Sequence, residues 1–322
     1  MARVDVLSAF LDGPRAAGAF LLRSLLEPPW SLRIQDEAPL TVVALVRGEA
    51  WIAFDDEAPA RLGPGDVAVI RGPEPYTVAD HPATPPQVVI HPGQVCRTPG
   101  GDELHDVMSL GVRTWGNDPG GSAVLLTGTY TSDGEVSRRL LDALPPLSVL
   151  AADDWHHPAV DLLAAEIVRD EPGQEAVLDR LLDLVLVAAL RATFAGDDVD
   201  VPTWDRASGD PVVGPALRLM HEDPSAPWTV AGLAAEAGVS RAALARRFHE
   251  LVGEPPMTFL TGWRMALAAD LLLEPGATVG GTARQVGYGS PFTFSTAFKR
   301  TYGQSPRAYR DARQEVVRHI AG

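Results

Sequence analysis

The chain has 322 residues, of which 46% are hydrophobic and 21% are charged, a composition that is ordinary for a globular protein with room for two domains. Its only cysteine, Cys96, excludes an intramolecular disulfide and a cysteine-cluster metal site, and a redox sensor built on it would lack a second thiol. The formal net charge is −15, yet residues 211–322 carry 12 Lys+Arg against 9 Asp+Glu, which makes this part +3 and leaves −18 for residues 1–210. This asymmetry predicts a negatively charged partner for the C-terminal part, although chance would explain the charges alone equally well.

The first 150 residues are rich in Pro and Gly and contain several short runs of β-forming residues. The segment LTVVALVRGEAWIAF predicts two strands with a turn at residues 47–49, and ARLGPGDVAVIRG, QVVIHPG and SAVLLTGTY predict further strands. Many short strands at this spacing are typical of a barrel or a sandwich. The N-terminus shows no long apolar core behind a basic start, so we expect no signal peptide and a cytoplasmic location.

Helical spacing of apolar residues begins after residue 150, in HPAVDLLAAEIVRDE and EAVLDRLLDLVLVAALRATF. The apolar run of the second segment is too short to cross a bilayer and is bracketed by charges, so we expect no membrane partner. Its apolar stripe predicts a helix that seeks a partner, and residues 151–208 are interpreted as a helical dimerisation segment followed by a polar linker. The residues predicted to mediate a homodimer are Leu178, Leu182, Val185 and Leu186.

The part of the chain from residue 209 onwards contains the same pattern twice. VAGLAAEAGVS at 230–240 matches VGGTARQVGYGS at 279–290, and beyond this match an offset of 50 pairs Phe248 with Phe298. Each copy predicts a short helix, a glycine turn, a second helix capped by serine, and a glycine stop. Two helices joined by a tight glycine turn form a helix-turn-helix, so residues 209–322 are predicted to be a DNA-binding domain with two such units.

The second helix of each copy is the candidate recognition helix, which would offer side chains to base edges in the major groove. In SRAALARRFHELVG, Arg246 is the candidate for a bidentate contact with guanine, whereas Arg241 and Arg247 are expected to hold phosphates. No Asp or Glu occurs in residues 275–310, as expected of a surface that approaches phosphates. The residues predicted to contact DNA are Ser240, Arg241, Ala242, Ala245, Arg246, Arg247, Ser290, Phe292, Thr293, Ser295, Thr296, Lys299 and Arg300.

With these motifs the chain resembles the AraC/XylS family of bacterial transcription regulators over residues 211–311. The resemblance is carried by VAGLAAEAGVSRAALARRFHELVGEPPMTFL, WRMALAADLLLE and VGYGSPFTFSTAFKRTYGQSPRAYR. Members of the family often carry Arg where this chain has Thr296, and a larger residue where it has Ala242. The resemblance implies that bases are contacted by Ala242, Ala245 and Arg246 in the first half-site and by Phe292, Thr293 and Thr296 in the second.

The N-terminal half resembles the cupin-like sensor domain that many family members carry, mainly through ALVRGEAWIAFDDEAPARLGPGDVAVIRGPEPYTV. The resemblance implies a β-barrel over residues 1–150. The His-x-His pair of metal-binding cupins is absent from LTVVALV and Tyr76 stands at the last ligand position, so neither a metal nor a cofactor is expected. The acidic charge of this half favours a neutral or cationic, partly apolar effector near Trp51 and Tyr76, with Trp30 and Trp115 as further candidates for pocket or core.

These observations predict an α+β protein with an N-terminal cupin-like β-barrel, a helical dimerisation segment and a C-terminal all-α double helix-turn-helix domain. The predicted function is that of a sequence-specific DNA-binding transcription regulator, not an enzyme. Its predicted partners are double-stranded DNA, a second copy of the chain and a small-molecule effector, with RNA polymerase as a further candidate. Two other classes stay open: a metal-containing cupin enzyme with an attached helical domain, and an interaction module without salt-dependent affinity for DNA. An ordinary helical bundle with a solvated basic face is the structural alternative.

Overall fold

The structure is a computed structural model and describes residues 19–104, 106–130, 141–142, 144–195, 207–274 and 276–312. The chain forms two compact units, one within residues 14–132 and 144–199 and the other mainly within residues 200–322. In the described residues the first unit combines two β-sheets with helices and the second is helical. The predicted α+β class is therefore confirmed.

Two mainly antiparallel β-sheets make up the N-terminal unit. Their strands, in chain order, are β1 (Phe20–Leu26), β2 (Ser31–Ile34), β3 (Leu40–Arg47), β4 (Ala50–Phe54), β5 (Ala60–Leu62), β6 (Val67–Arg71), β7 (Tyr76–Ala79), β8 (Val88–His91), β9 (Val95–Arg97), β10 (Ser109–Gly111), β11 (Thr114–Gly116), β12 (Ala123–Tyr130) and β13 (Leu147–Leu150). One sheet has the order β10-β11-β1-β12-β3-β6-β13, and the other has the order β5-β4-β7-β2-β8-β9. Apolar side chains from both sheets share one core, as the predicted cupin-like barrel requires.

The alternation of side chains along each strand decides which residues face the barrel interior. β4 buries Ala50, Ile52 and Phe54 and leaves Trp51 half-exposed, because successive side chains of a strand point to opposite faces. The turn at residues 47–49 carries the chain from β3 in one sheet to β4 in the other. Both predicted strands of this segment are present, but they do not pair with each other: β3 pairs with β12 and β6, and β4 pairs with β5 and β7.

Two helices, α1 (Pro158–Glu166) and α2 (Gln174–Ala195), complete the N-terminal unit. α2 packs on β12 so closely that a Cβ at Gly128 would lie 2.5 Å from Leu182 Cδ1. The hydroxyl of Tyr130 also donates a hydrogen bond of 3.2 Å to the carbonyl oxygen of Leu182. This packing corrects the predicted dimerisation face, because the stripe is buried within a single chain. The stripe residues, each at most 2% exposed, are Leu178, Leu182, Val185 and Leu186.

The C-terminal unit consists of helices around two apolar clusters. The helices are α3 (Val213–Glu222), α4 (Val230–Glu236), α5 (Arg241–Val252), α6 (Pro256–Leu271), α7 (Val279–Gln285), α8 (Pro291–Tyr302) and a last helical segment from residue 306 to the end of the described residues at 312. Phe248 of α5 lies in the first cluster, and Phe294 and Phe298 of α8 lie in the second. The long helix α6 contributes Leu260 to the first cluster and Met265 to the second, so it joins the two halves of the unit.

The sequence repeat is also a structural repeat. α4–turn–α5 and α7–turn–α8 are two helix-turn-helix units, and each turn contains a glycine with positive φ, 68° at Gly238 and 79° at Gly287. α5 begins after Ser240 and α8 after Ser290, and each serine hydroxyl accepts a hydrogen bond of 3.2 Å from the backbone N–H three residues later. The predicted double helix-turn-helix is therefore confirmed.

Candidate nucleic-acid interface and effector cavity

The outer face of α5 holds the residues predicted to contact the first half-site. Phe248 is fully buried, and the helical period then places Arg246 on the opposite, exposed side. The Arg246 side chain is 74% exposed, and its Nε lies 3.8 Å from Glu250 Oε1. Such a loose, solvated pair is weak, so the guanidinium is available to another partner. Of the predicted contacts in this half, Ser240, Arg241, Ala242, Arg246 and Arg247 are exposed and Ala245 is half-buried.

Arg247 has a partner outside its own helix. Its guanidinium donates two hydrogen bonds, of 2.9 and 3.0 Å, to Asp210 Oδ2. Asp210 Oδ1 accepts two more from the backbone N–H groups of Val212 and Val213 at the start of α3. Partial burial alone would raise the pKa of Asp210, but the hydrogen bonds from the backbone and from Arg247 hold it below its ordinary value. Arg247 thus connects α5 to the start of α3 through Asp210, a role that the sequence did not predict. The phosphate contact of Arg247 stays a prediction.

The outer face of α8 holds the predicted contacts of the second half-site. Phe294 and Phe298 are fully buried, which turns the Phe292 ring and the Thr296 side chain outward. The last turn of α8 carries two exposed cations, Lys299 and Arg300, and neither forms an ion pair with any described residue. Of the predicted contacts in this half, Phe292, Thr293, Thr296, Lys299 and Arg300 are exposed and Ser290 and Ser295 are half-buried.

An arginine that the sequence reasoning missed connects the two helix-turn-helix units. Arg264 of α6 donates hydrogen bonds of 2.6 Å to the Pro224 carbonyl oxygen and 2.7 Å to the Ala226 carbonyl oxygen, both in the loop before α4. The turn of the second unit meets the same loop, since a Cβ at Gly287 would lie 2.5 Å from Ser225 O. The loop is therefore contacted by α6 and by the turn of the second helix-turn-helix, and these contacts fix the two helix-turn-helix units relative to each other. The available signal was an arginine between Trp263 and Met265, at the start of an apolar run.

The barrel of the N-terminal unit encloses a cavity of about 530 Å³, a volume within the range of small-molecule sites. Apolar side chains from both sheets form most of its wall, among them Leu32, Val43, Val78, Leu125 and Trp115. The interior of this barrel is therefore not filled by its own side chains, which leaves room for the predicted small-molecule effector.

A few polar groups face this cavity. The hydroxyl of Tyr76 hydrogen bonds with Thr41, and burial raises the pKa of Tyr76 well above its ordinary value, so the phenol stays neutral. Trp115 belongs to the wall, and its Nε1 is buried without a hydrogen-bond acceptor among the described residues. Exposed lining residues mark the mouth, where Glu103 pairs with Arg97 at 3.1 Å and Asp106 has no ion-pair partner in the described part of the chain.

The placement of the tryptophans corrects the predicted lining of the pocket. Tyr76 lines the cavity as predicted, but Trp51 lies on the other face of β4, opposite Arg61 of β5, and is not part of the wall. Trp115 supplies the aromatic wall instead, and Trp30 is core. A strand places alternate residues on opposite faces, and β4 buries Ala50, Ile52 and Phe54 on its inner face, which leaves Trp51 on the other.

Within its described residues, the N-terminal unit shows neither a reactive thiol nor a metal cluster. Cys96 lines the cavity, and burial raises the pKa of its thiol, which lowers the fraction of reactive thiolate. The described residues contain no group of three or more His, Cys, Asp or Glu side chains that could hold a metal ion. His105, one of the histidines in this half of the chain, lies outside the described residues. None of the helices within the described ranges is long and apolar enough to span a membrane.

A cupin family model matches residues 5–195, and a helix-turn-helix domain model matches residues 233–312. Barrel, cavity and paired recognition helices thus define the class of this protein, a cupin-type domain joined to a helix-turn-helix DNA-binding domain. An AraC-like transcription regulator of Streptomyces lividans is 32% identical over 286 residues, which cover 87% of this chain and 90% of that protein. The chain belongs to this family of AraC-like transcription regulators, as its motifs predicted.

Two further proteins illustrate the similarity. The HTH-type transcriptional regulator AlkR of Acinetobacter baylyi is 27% identical over 313 residues, which cover 95% of this chain and 99% of that protein. Among solved structures, the DNA-binding domain of AdpA in complex with a target DNA is 34% identical, and the match covers 32% of this chain and 93% of that chain with a TM-score of 0.31.

Proposed function

We propose that this regulator binds two adjacent DNA half-sites, one with α5 and one with α8, and that a small molecule in the barrel controls the binding. The observation that carries the proposal is the pair of serine-capped helices whose exposed faces hold the predicted contact residues. The bonds of Arg264 to the loop before α4 support a fixed spacing between the two helices. In this proposal the protein acts by binding rather than by catalysis, with residues 209–322 as the DNA-binding domain and residues 1–150 as the sensor.

In the first half-site, Arg246 is the proposed reader of guanine. A guanidinium presents a planar fork of donors that matches O6 and N7 of guanine in the major groove, and the exposed Arg246 side chain projects from the outer face of α5. Arg241 in the first turn of the same helix is exposed and forms no ion pair with any described residue, which suits a phosphate contact. The absence of Asp and Glu from residues 275–310 lowers the repulsion of phosphate around the second helix.

The test is DNA binding by Arg246 variants of the full chain on a duplex selected from a randomised pool. Arg246→Ala should cost about 1–3 kcal/mol on the selected duplex and relax specificity at one base pair. Arg246→Lys is the matched control, because it keeps the charge but loses the bidentate fork, so it should lose specificity and keep the salt dependence. Binding of selected and scrambled duplexes by Arg246→Ala at the wild-type level would show that α5 does not read the bases.

We also infer a homodimer, which would let two subunits reach paired sites. The buried stripe of α2 no longer supports the dimer, but the solvent face of the same helix does. On this face Leu184 is 46% exposed, and Val177, two helical turns earlier, is 45% exposed. Leu162 on α1 adds a third exposed apolar side chain. A Leu184→Glu variant should therefore sediment as a monomer at concentrations where the wild type sediments as a dimer. A wild-type protein that is monomeric at tens of micromolar would contradict this inference. The residues at helical spacing along this face are Val177, Leu181, Leu184 and Ala188.

The proposed effector is mainly apolar, and neutral or cationic. The apolar wall of the cavity favours a hydrophobic body. The carboxylates of Glu103 and Asp106 at the mouth disfavour an anionic end group. The chain can respond only to a ligand that prefers one conformation of the regulator, because equal affinity for both shifts no equilibrium.

A thermal-shift screen of the full chain tests this part of the proposal, followed by DNA binding with and without each hit. A ligand of the folded state should raise the melting temperature, and Trp115→Phe, which makes an apolar side chain of the wall smaller, should weaken its binding. Trp51→Phe is the matched control and should leave the response unchanged, since Trp51 lies outside the cavity. Hits that bind without changing DNA affinity would show a binding domain that does not control the DNA-binding domain.

A further inference from the structure

The second recognition helix presents an apolar surface where its counterpart presents a charged one. Phe292, in the first turn of α8, is 82% exposed, the largest exposure of any large apolar side chain in the described part of the chain. The offset of 50 residues that relates the two units pairs Phe292 with Ala242 and Thr296 with Arg246. α8 therefore carries a ring in place of a methyl group, and a threonine in place of the guanidinium.

The threonine hydroxyls of α8 are already engaged within the helix. The hydroxyl of Thr296 donates a hydrogen bond of 3.1 Å to the carbonyl oxygen of Phe292. The hydroxyl of Thr293 lies 2.7 Å from that of Ser290, the residue that caps the helix. Since a hydroxyl has one hydrogen to donate, Thr296 has none left for an acceptor on a base edge, and its exposed side chain offers its methyl group and the lone pairs of its oxygen.

The position of these groups identifies what they meet. Residues in the N-terminal turns of a recognition helix contact base edges, and Phe292, Thr293 and Thr296 lie in the first two turns of α8. Lys299 and Arg300 follow in its last turn, where they suit the backbone phosphates. In the major groove the apolar feature of a base edge is the 5-methyl group of thymine, which phenyl rings and threonine methyl groups contact.

We propose that α8 recognises thymine through its 5-methyl group, with the Phe292 ring and the methyl groups of Thr293 and Thr296 as the contact surface. The two half-sites are then read by different chemistry, hydrogen bonds to guanine under α5 and apolar contact with thymine under α8. This inference rests on the proposed function, because it assumes that α8 enters the major groove. The rival occupant of the exposed ring is a protein surface such as that of RNA polymerase.

Replacement of thymine by deoxyuridine tests the proposal, because it removes only the methyl group and leaves the pairing edge unchanged. A duplex is first selected from a randomised pool with the full chain, and each thymine in it is then replaced singly. At one or more positions the replacement should weaken binding by about fourfold, the value for one buried methyl group. Those positions should stay sensitive in Arg246→Ala and become insensitive in Phe292→Ala. Thr296→Ser, which removes one methyl and keeps the hydroxyl, should make a subset of them insensitive.

A second arm separates the methyl group from the shape of the duplex. At a sensitive position, 5-methylcytosine paired with guanine should bind more tightly than cytosine paired with guanine, because it restores the methyl group at the same place in the groove. If no replacement distinguishes the wild type from Phe292→Ala, or if Phe292→Ala binds every duplex as the wild type does, the proposal is overturned. The Phe292 ring would then contact a protein surface instead of DNA. If no duplex is enriched by the selection at all, the proposed function itself fails. Phe292 is exposed, so an unchanged melting temperature is expected to show that its alanine variant is folded.

Discussion

Leu182→Ala separates the two roles that an apolar helix stripe can have. Leu182 is 2% exposed, and it packs against Gly128, which has no side chain that could move into the space left by a truncation. Leucine-to-alanine changes in cores cost about 2–5 kcal/mol, and poor collapse of the site favours the upper half of that range, about 4 kcal/mol. For a unit of this size, such a loss should lower the melting temperature by about 8–16 °C.

The matched variant is Leu184→Ala, two residues away on the solvent face of the same helix. It should lower the free energy of unfolding by less than about 1 kcal/mol and weaken the homodimer instead. Differential scanning calorimetry of the full chain at several protein concentrations measures the first quantity, and sedimentation measures the second. The reasoning is refuted if Leu182→Ala keeps the wild-type melting temperature and dissociates the dimer, because the stripe would then be an interface between chains.

Asp210, Arg264 and Gly128 each make a contact that a single substitution can test. Asp210→Asn should destabilise the DNA-binding domain by about 1–3 kcal/mol at pH 7, because it breaks the charged bond to Arg247. Since the folded-state pKa of Asp210 is lowered, its contribution to stability is complete above about pH 5 and is lost as the pH falls through that lowered pKa. Urea unfolding should therefore give free energies of wild type and variant that converge in acid. A difference that stays constant with pH would contradict the ion pair of Asp210 with Arg247. In Arg264→Lys the side chain can bond to fewer carbonyl oxygens, so this variant should tolerate one inserted base pair between the half-sites better than the wild type does, as measured by DNA binding. If the inserted base pair weakens binding of both proteins equally, Arg264 does not fix the spacing of the two helices. Gly128→Ala should destabilise the N-terminal unit, because its Cβ would lie 2.5 Å from Leu182 Cδ1, and calorimetry showing an unchanged melting temperature would place α2 further from the sheet.

Local signals made the DNA-binding domain readable from the sequence. Each unit is defined by a serine cap, a turn glycine and a stop glycine, and these act over a few residues through backbone hydrogen bonds and positive φ. The helical period then assigned Phe248 and Phe298 to the core and Arg246 and Phe292 to the outer face. Because the pattern occurs twice at a fixed offset, the resemblance to its family was specific.

Only the tertiary structure decided what covers each apolar face. The stripe with Leu182 was visible in the sequence, but a helix that packs on its own sheet and a helix that packs on a partner show the same period. Likewise, the composition of β4 could not say which of its faces packs in the barrel core, and Trp51 lies on the other face, while Trp115, distant in the sequence, lines the cavity. Arg247 and Asp210 are 37 residues apart and form an ion pair through the fold. Periodicity determines which residues share a face, whereas the contacts of that face depend on segments far along the chain, which only the folded topology brings together.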